Sequence, residues 1–391
     1  MEKNAFSRAG RLFVSTAMLV LASCSAQNSP SGKNESDAAP GTTAPPATAA
    51  AKFAYIPLQG SAQVVVVDLA SMKEVKRIKT DGRSIDTRIT PDYSKVYVIN
   101  VFNPHVSVIR ARCPDDRAKW TDAEQKAGKC VSNSRLGTIT VDDRGAYYFS
   151  ISKDGSRMYL VSDSGINIID TRTDKIIRKI KPEGMSIANE IDPDGKTLWL
   201  GGADGQIRAI GIEAGKPTGR SVQVAPAPAT FKLSSDGKWL YTGNIPADPA
   251  KPGLNVVDKP AVIQAVDTAT MKVVATEPVG PGTFILGLEV STDGKQIWSA
   301  NGNNTITLMD GETHKIVKTI TTDFDAAEAV ELTPDGKLLL AVGHMGKLSP
   351  MKPPANQQAY AQFYSTESFK KVGAPIDLGK TSGGIPVISP H

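Results

Sequence analysis

From residue 52 onward, apolar and polar residues alternate in short runs, and the runs recur as a unit. Alternation over four to eight residues between turn signals predicts half-buried strands. The first half of the unit is a strand, a Pro/Ser-Asp-Gly-Lys turn and a second strand. It recurs as ITPDYSKVYVI at Asp92, ISKDGSRMYLV at Asp154, IDPDGKTLWLG at Asp194, LSSDGKWLYTG at Asp236, VSTDGKQIWSA at Asp293 and LTPDGKLLLAV at Asp335. Asp-Gly between two β-type runs predicts a tight hairpin, because both turn residues tolerate positive φ. The second half is an alternating strand, an Asp-Thr-x-Thr-x-Lys turn and a further β run. Its clearest copies are VVVVDLASMKEVKRI, INIIDTRTDKIIRKI, IQAVDTATMKVVAT and ITLMDGETHKIVKTI.

Weaker copies at 106–110, IRAIGIEAGKPTG and AQFYSTESFKKVG bring the second halves to seven, against six complete first halves. The opening unit, with strands expected near 53–57, 63–68 and 74–79, lacks its first strand. The C-terminal IPVISPH aligns with DTRITPD and supplies it. Closing a ring in this way hides the two sheet edges that an open array would expose. The expected fold is all-β: a seven-bladed β-propeller of four-stranded antiparallel blades, spanning 51–391, with the first blade closed by the C-terminal strand.

The SPDGKxLYV and VIDTxTxKVVxTI phrasing resembles the YVTN β-propeller repeat family over most of the chain. That family is similar to surface-layer, lactonase-like and amine-dehydrogenase heavy-chain propellers. The resemblance implies the fold and leaves the function open, because propellers host many unrelated sites.

The first 50 residues break the pattern. Basic residues precede the short apolar run LFVSTAMLVLA, which leads into Leu21-Ala22-Ser23-Cys24. This resembles the lipobox of bacterial lipoproteins and implies a signal peptide over 1–23 and a lipidated Cys24. Ser25 after the Cys implies outer-membrane sorting. An ordinary signal peptide with an unrelated Cys is the alternative. Two or three acyl chains would anchor stably, at about 0.8 kcal/mol per buried CH₂. Residues 24–50 are rich in Ser, Pro and Ala, and read as a disordered tether with a reach of roughly 25–30 Å. The expected location is the cell envelope, with the propeller in the periplasm or at the cell surface.

That compartment bears on Cys113 and Cys130, the remaining pair, in RCPDDRAKWTDAEQKAGKC. An even pair in an oxidising compartment predicts a disulfide around the insertion 113–130, worth about 3 kcal/mol. A zinc pair is the alternative, though no His or further Cys stands nearby. Thr121-Asp122-Ala123-Glu124 and Gly128 predict a short capped helix inside the loop. The formal charge of +5 is modest and no basic cluster interleaves with aromatics, which argues against nucleic-acid binding.

Counting back four residues from each turn Asp gives one column: Arg88, Ser150, Glu190, Lys232, Glu289 and Glu331, with Val387 in the closing strand. The next column (Ile89, Ile151, Ile191, Leu233, Val290, Leu332 and Ile388) is uniformly apolar. With a two-residue period, the apolar column packs between blades and the first column faces the channel. Its charges either pair among themselves or hold a polar ligand through Arg88, Glu190, Lys232, Glu289 and Glu331. A divalent cation held by the three Glu is a weaker alternative, since calcium and magnesium want more oxygen ligands.

Loops on the same face are expected to carry Asp86, Tyr147, Tyr148, Asn189, Phe231, Phe284, Asp325 and Glu328, with His105 and His344 as candidate general bases. Met345 and Met351 beside His344 are a weak soft-metal signal. There is no Gly-x-Ser-x-Gly, His-Glu-x-x-His, Cys-x-x-Cys-His or Walker loop. The preferred expectation is a binding or assembly platform for a protein partner or a small polar ligand. The alternatives are a lactonase-like hydrolase or lyase using the channel carboxylates, Glu190, Glu289 or Glu331, and an accessory protein of a periplasmic dehydrogenase. No organic cofactor is evident.

Overall fold

The structure is a computed structural model that describes residues 52–101, 103–141, 146–162, 165–181, 186–246, 259–280, 283–345, 357–381 and 383–389. The expected signal peptide, Cys24 and the expected tether lie outside the described residues. Seven four-stranded antiparallel sheets form the blades of a propeller, with their innermost strands packed around the ring. Blades 2 to 7 run from inner to outer strand in chain order over 83–140, 146–180, 186–223, 228–278, 285–321 and 326–380. Blade 1 takes Phe53–Leu58, Gln63–Asp68 and Lys73–Lys79 from the start of the ring and Val387–Ser389 from its end.

In the closing strand Val387 faces Tyr55, Ile388 faces Ala54 and Ser389 faces Phe53. The segment before it is tied to blade 2 as well. The Ile385 N–H donates to Ile85 O (2.8 Å), and the Thr87 N–H donates to Ile385 O (3.1 Å). One short segment therefore binds both sides of the seam.

The two turns of the repeat have distinct physical bases. In the Asp-Gly hairpins only the Gly takes positive φ (Gly155, Gly195, Gly237 and Gly294 at 72°), while the Asp does not. The expected hairpins form, and of the two residues that tolerate positive φ one adopts it. The Asp side chain explains why: its Oδ1 accepts the hydroxyl of Thr90, Ser152, Ser234, Ser291 or Thr333 at 2.5–2.7 Å. The same oxygen accepts the backbone N–H two residues on, as at Ser94, Ser156, Lys238, Lys295 and Lys337. Such local bonds hold a type I turn that ends on one left-handed residue. In blade 2 Tyr93 takes that place at φ 57°.

The second turn also needs one left-handed residue, and here side chains other than Gly accept it: Met72, Asp174, Met271, His314 and Phe369, at φ 52–61°. Left-handed backbone is uncommon for such residues, but each side chain reaches the preceding blade. Asp174 accepts the Tyr97 hydroxyl (2.6 Å) and pairs with Lys95 (2.8 Å). His314 packs edge-on against Trp239 (4.6 Å) and Tyr241 (5.8 Å), and Phe369 lies against Trp298 (6.2 Å). Met271 packs in the cluster of Trp199, and Met72 in that of Phe363, across the seam. In blade 4 the residue is Gly215, and the Arg178 guanidinium of blade 3 lies beside it.

Blade 2 obeys the same rule despite its insertion. Asn133, at φ 54°, accepts the Tyr55 hydroxyl of blade 1 at 2.5 Å. The insertion upstream is closed by the Cys113–Cys130 disulfide, with the two Cα atoms 5.8 Å apart. Inside it Asp122–Ala127 is helical, with the expected Thr121/Glu124 capping box and a left-handed Gly128 cap. Glu124 also holds the fully buried Arg110 guanidinium in a two-pronged ion pair, with Nε–Oε1 at 2.9 Å. Loop, helix and blade are thereby fastened at one point.

The core lies between blades rather than at a common centre. Residues of the second and third strands, such as Tyr97, Trp199 and Trp298, are wholly buried in clusters shared by neighbouring sheets. The outermost strands are Lys-rich and largely exposed. They bulge at Val75, Ile177, Val274 and Val317, which stand exposed. Bulges and lysines at an edge discourage pairing with other chains.

Candidate functional site: the central channel

Six inner strands share one irregularity. Pairing with the second strand shifts by one residue between 84 and 86, 146 and 148, 186 and 188, 228 and 230, 285 and 287, and 327 and 329. The extra residues are Ile85, Tyr147, Ile187, Ala229, Leu286 and Glu328. A bulge re-aims the strand at that point, so the simple two-residue alternation fails there. Ile85, Ala229, Leu286 and Glu328 consequently face the channel mouth together with Asp86 and Tyr148.

Below the bulges the charged column converges. Lys232 Nζ lies 2.8 Å from Glu289 Oε2, and Arg88 Nη1 lies 2.8 Å from Asp86 Oδ1. Burial works against the Arg88 and Lys232 cations, but the surrounding carboxylates outweigh it and hold both pKa values above their ordinary ranges. Asp86, Glu190, Glu331 and Glu289 act on Arg88, and Glu289, Glu331 and Glu190 act on Lys232. Four carboxyls share two cations. Burial, then Glu289, push Glu331 up to about 8, against the pull of Lys232 and Arg88. Glu190 is raised chiefly by burial, and burial pushes Asp86 up to about 6 despite Arg88.

Two members of the predicted column differ. Ser150 is buried with no partner for its hydroxyl. Val387 keeps the register of Arg88 but packs with Tyr55, Val96 and Val98 between blades 1 and 2. Its side chain is too short to reach past that layer.

The mouth above the ring holds a cavity of ≈ 60 Å³. Ile85, Ala229, Ile245 and Leu286 form its apolar wall, and Asp86, Tyr148 and Glu328 supply its titratable groups. Both carboxylates are buried, at 1% exposure for Asp86 and 5% for Glu328, and each has one oxygen without a partner: Asp86 Oδ2 and Glu328 Oε2. Behind Glu328 stands His344, whose Nδ1 is 3.4 Å from Glu328 Oε1. His344 is 1% exposed, and neither ring nitrogen has a hydrogen-bond partner. Burial disfavours its imidazolium, but Glu328 and then Asp325 more than offset this, and its pKa lies above the usual value.

The remaining candidates scatter. His105 opens the third strand of blade 2, away from the inner strands, with Nδ1 3.2 Å from the Thr140 hydroxyl. Phe231 is buried in the cluster of blades 4–5, Phe284 is buried in the cluster that holds Ala229 and Ile245 of blade 5, and the Asn189 amide donates to Tyr159 O. Asp325 is exposed, and Met351 lies outside the described residues. Among the described residues no three His, Cys, Asp or Glu side chains are grouped to hold a metal ion. Glu190, Glu289 and Glu331 share their space with Arg88 and Lys232, which does not suit a divalent cation.

Comparison with known proteins supports the architecture. No protein-family model matches the chain. An uncharacterized WD repeat-containing protein of Synechocystis is 28% identical over 155 residues, covering 39% of this chain. The chain spans only 40% of the length of that curated relative. Among solved structures, a functionally unknown protein from Desulfotomaculum acetoxidans matches 86% of this chain and 99% of its own, with TM-score 0.64 and 14% identity. Dihydro-heme d1 dehydrogenase NirN covers 89% of this chain and 77% of its own (TM-score 0.59, 12% identity). Hydrazine synthase of Kuenenia stuttgartiensis covers 61% and 67% (TM-score 0.51, 21% identity). At these identities the likeness is one of fold.

Proposed function

We propose that the protein is a lipid-anchored binding module of the bacterial cell envelope, which holds a small polar ligand at the mouth of its channel. The observation that carries this reading is the pair of unpartnered carboxylate oxygens, Asp86 Oδ2 and Glu328 Oε2, on two residues that line one cavity. A buried polar atom without a partner costs about 1–3 kcal/mol, and more when charged. Two of them beside an apolar wall leave room for a ligand that supplies donors. The ring of Arg88, Glu190, Lys232, Glu289 and Glu331 closes the floor and sets the field beneath the ligand. The lipobox-like Leu21–Cys24 and the tether support the anchor, and the repeat phrasing supports a YVTN-type propeller. The disulfide-closed insertion and the rim remain the natural contacts for a protein partner.

The test is a melting-temperature screen of the full chain against sugars, lactones, amines and divalent ions. A ligand at a hundred times its Kd stabilises by about 2.7 kcal/mol. The expected result is a shift that Glu328→Gln abolishes. Shifts that survive both Glu328→Gln and Asp86→Asn would place binding elsewhere and sink the reading.

A further inference from the structure

The geometry points to a ligand class: we infer that the channel mouth takes a small primary ammonium compound with a short aliphatic body. This deepens the proposed function and rests on it. The polar groups of the cavity are acceptors before they are donors. Asp86 Oδ2 and Glu328 Oε2 are buried and unpartnered, and their residues line the cavity from blades 2 and 7. The Gln59 side-chain amide, a donor on the same wall, is already spent on Gly383 O at 2.9 Å. Among the described lining side chains, only the Tyr148 hydroxyl remains to donate or accept. The cations nearest the two acids stand behind them. Arg88 holds Asp86 through Oδ1, and His344 faces Glu328 from the side of Oε1. In each case the second oxygen is left without a partner.

An ammonium group offers three donors and a full charge, which two carboxylate oxygens without other partners can accept. A carboxylate or phosphate ligand would instead meet two acids, with the Arg88 and His344 cations set behind them on the Asp86 Oδ1 and Glu328 Oε1 sides. The opposite wall of Ile85, Ala229, Ile245 and Leu286 has no polar side-chain atom and fits an alkyl chain. Charge-assisted hydrogen bonds in such a dry setting are about twice as strong as neutral ones, so the charged head should dominate selectivity.

The test compares three isosteres on the full chain at neutral pH: n-propylammonium, n-propanol and propionate, by calorimetry and by melting temperature. The expected result is binding of n-propylammonium at least tenfold tighter than n-propanol, with no binding of propionate. Asp86→Asn and Glu328→Gln should each weaken it about tenfold or more. Should either variant fail to fold, Leu286→Phe fills the apolar wall without touching a charge and should also abolish binding. Equal or tighter binding of n-propanol or propionate, lost in Leu286→Phe, overturns the ligand class and leaves the site reading standing. If none of the three binds while another compound shifts the wild type but not Glu328→Gln, the class is again wrong and the site right. If nothing in either screen binds, the cavity holds water only, and both readings fall.

Discussion

The turn belt and the channel are built from the same repeat, yet they behave in opposite ways. In the belt six blades each send one side chain, held on left-handed backbone, against an aromatic or apolar residue of the blade before, and in blade 4 Gly215 receives Arg178 from blade 3 instead. The chemistry varies from an Asp–Tyr hydrogen bond (Asp174–Tyr97) to a His edge (His314–Tyr241) to an aromatic pair (Phe369–Trp298), but the geometry does not. In the channel the geometry also repeats, since the bulges fall at one register in six blades, but the residues do not. One blade offers Glu328, another Leu286, another Ala229. A structural device tolerates substitution so long as volume is filled and polar groups are paired. A site needs particular groups on particular sides. Uniform geometry with varied packing marks the scaffold, and uniform geometry with unpaired charge marks the candidate site.

The comparison can be broken most severely at the seam. Truncation after Gly384 removes the strand Val387–Ser389 together with the hydrogen bonds of Ile385 to blade 2. It exposes the inner edge of blade 1 and uncovers the apolar side of Ala54 and Ile56. The expected outcome is loss of a single cooperative melt and self-association by light scattering. A monomer that melts as the full chain does would show that the belt alone closes the ring.

A smaller effect tests the belt directly. Tyr97→Phe deletes the hydroxyl that donates to Asp174, while leaving the ring buried and Lys95 in place. Hydrogen bonds to charged groups are worth about 1.5–3 kcal/mol, and chemical denaturation should register a loss of that size. Asp174→Ala combined with Tyr97→Phe should cost less than the two losses summed. Strict additivity would mean that the two groups do not act as a latch.

Blade number, ring closure, the disulfide and the capped helix were legible in the sequence because each depends on local chemistry repeated or paired at fixed spacing. The hairpin was legible as a hairpin but not in its conformation, since Asp-Gly serves two turn types and the Ser/Thr two residues before the Asp decides between them. The charged column was found by counting back from the turn Asp, and Arg88, Lys232 and Glu289 do meet, because register is set by the hairpin. The mouth was harder. Glu328 reads as a loop residue until the bulge is seen, and one inserted residue changes which side chains face the channel. No residue type announces that bulge. His344 carried a signal as a lone His after an apolar strand, but its position behind Glu328 depends on contacts between strands. Val387 shows the converse: correct register, wrong destination, because an aliphatic side chain gains more by packing than by facing the channel.

The smallest predicted effect concerns the charge balance of the ring. Burial and Glu289 hold Glu331 near 8, well above the ordinary value of 4.5. A carboxyl whose pKa is raised on folding binds a proton in the folded state that the unfolded chain has released. Its contribution is therefore full below about pH 4.5 and is lost as pH rises toward 8. Asp86, raised to about 6, acts in the same direction over a lower window. The turn aspartates Asp92, Asp154, Asp236 and Asp293 are lowered, mainly by the Ser/Thr hydroxyl and backbone N–H bonds that more than offset any burial. Their contribution is present at neutral pH and is lost on acidification. Acid should thus loosen the hairpins while alkali strains the ring. Glu331→Gln imitates the protonated carboxyl at every pH. It should leave the melting temperature unchanged near pH 4.5 and raise it by about 1–3 °C at pH 9, so that the alkaline decline becomes shallower. A variant that melts lower at every pH would mean that Lys232 and Arg88 need the Glu331 charge, and the ring would then be a fully ionised network rather than one that stores a proton.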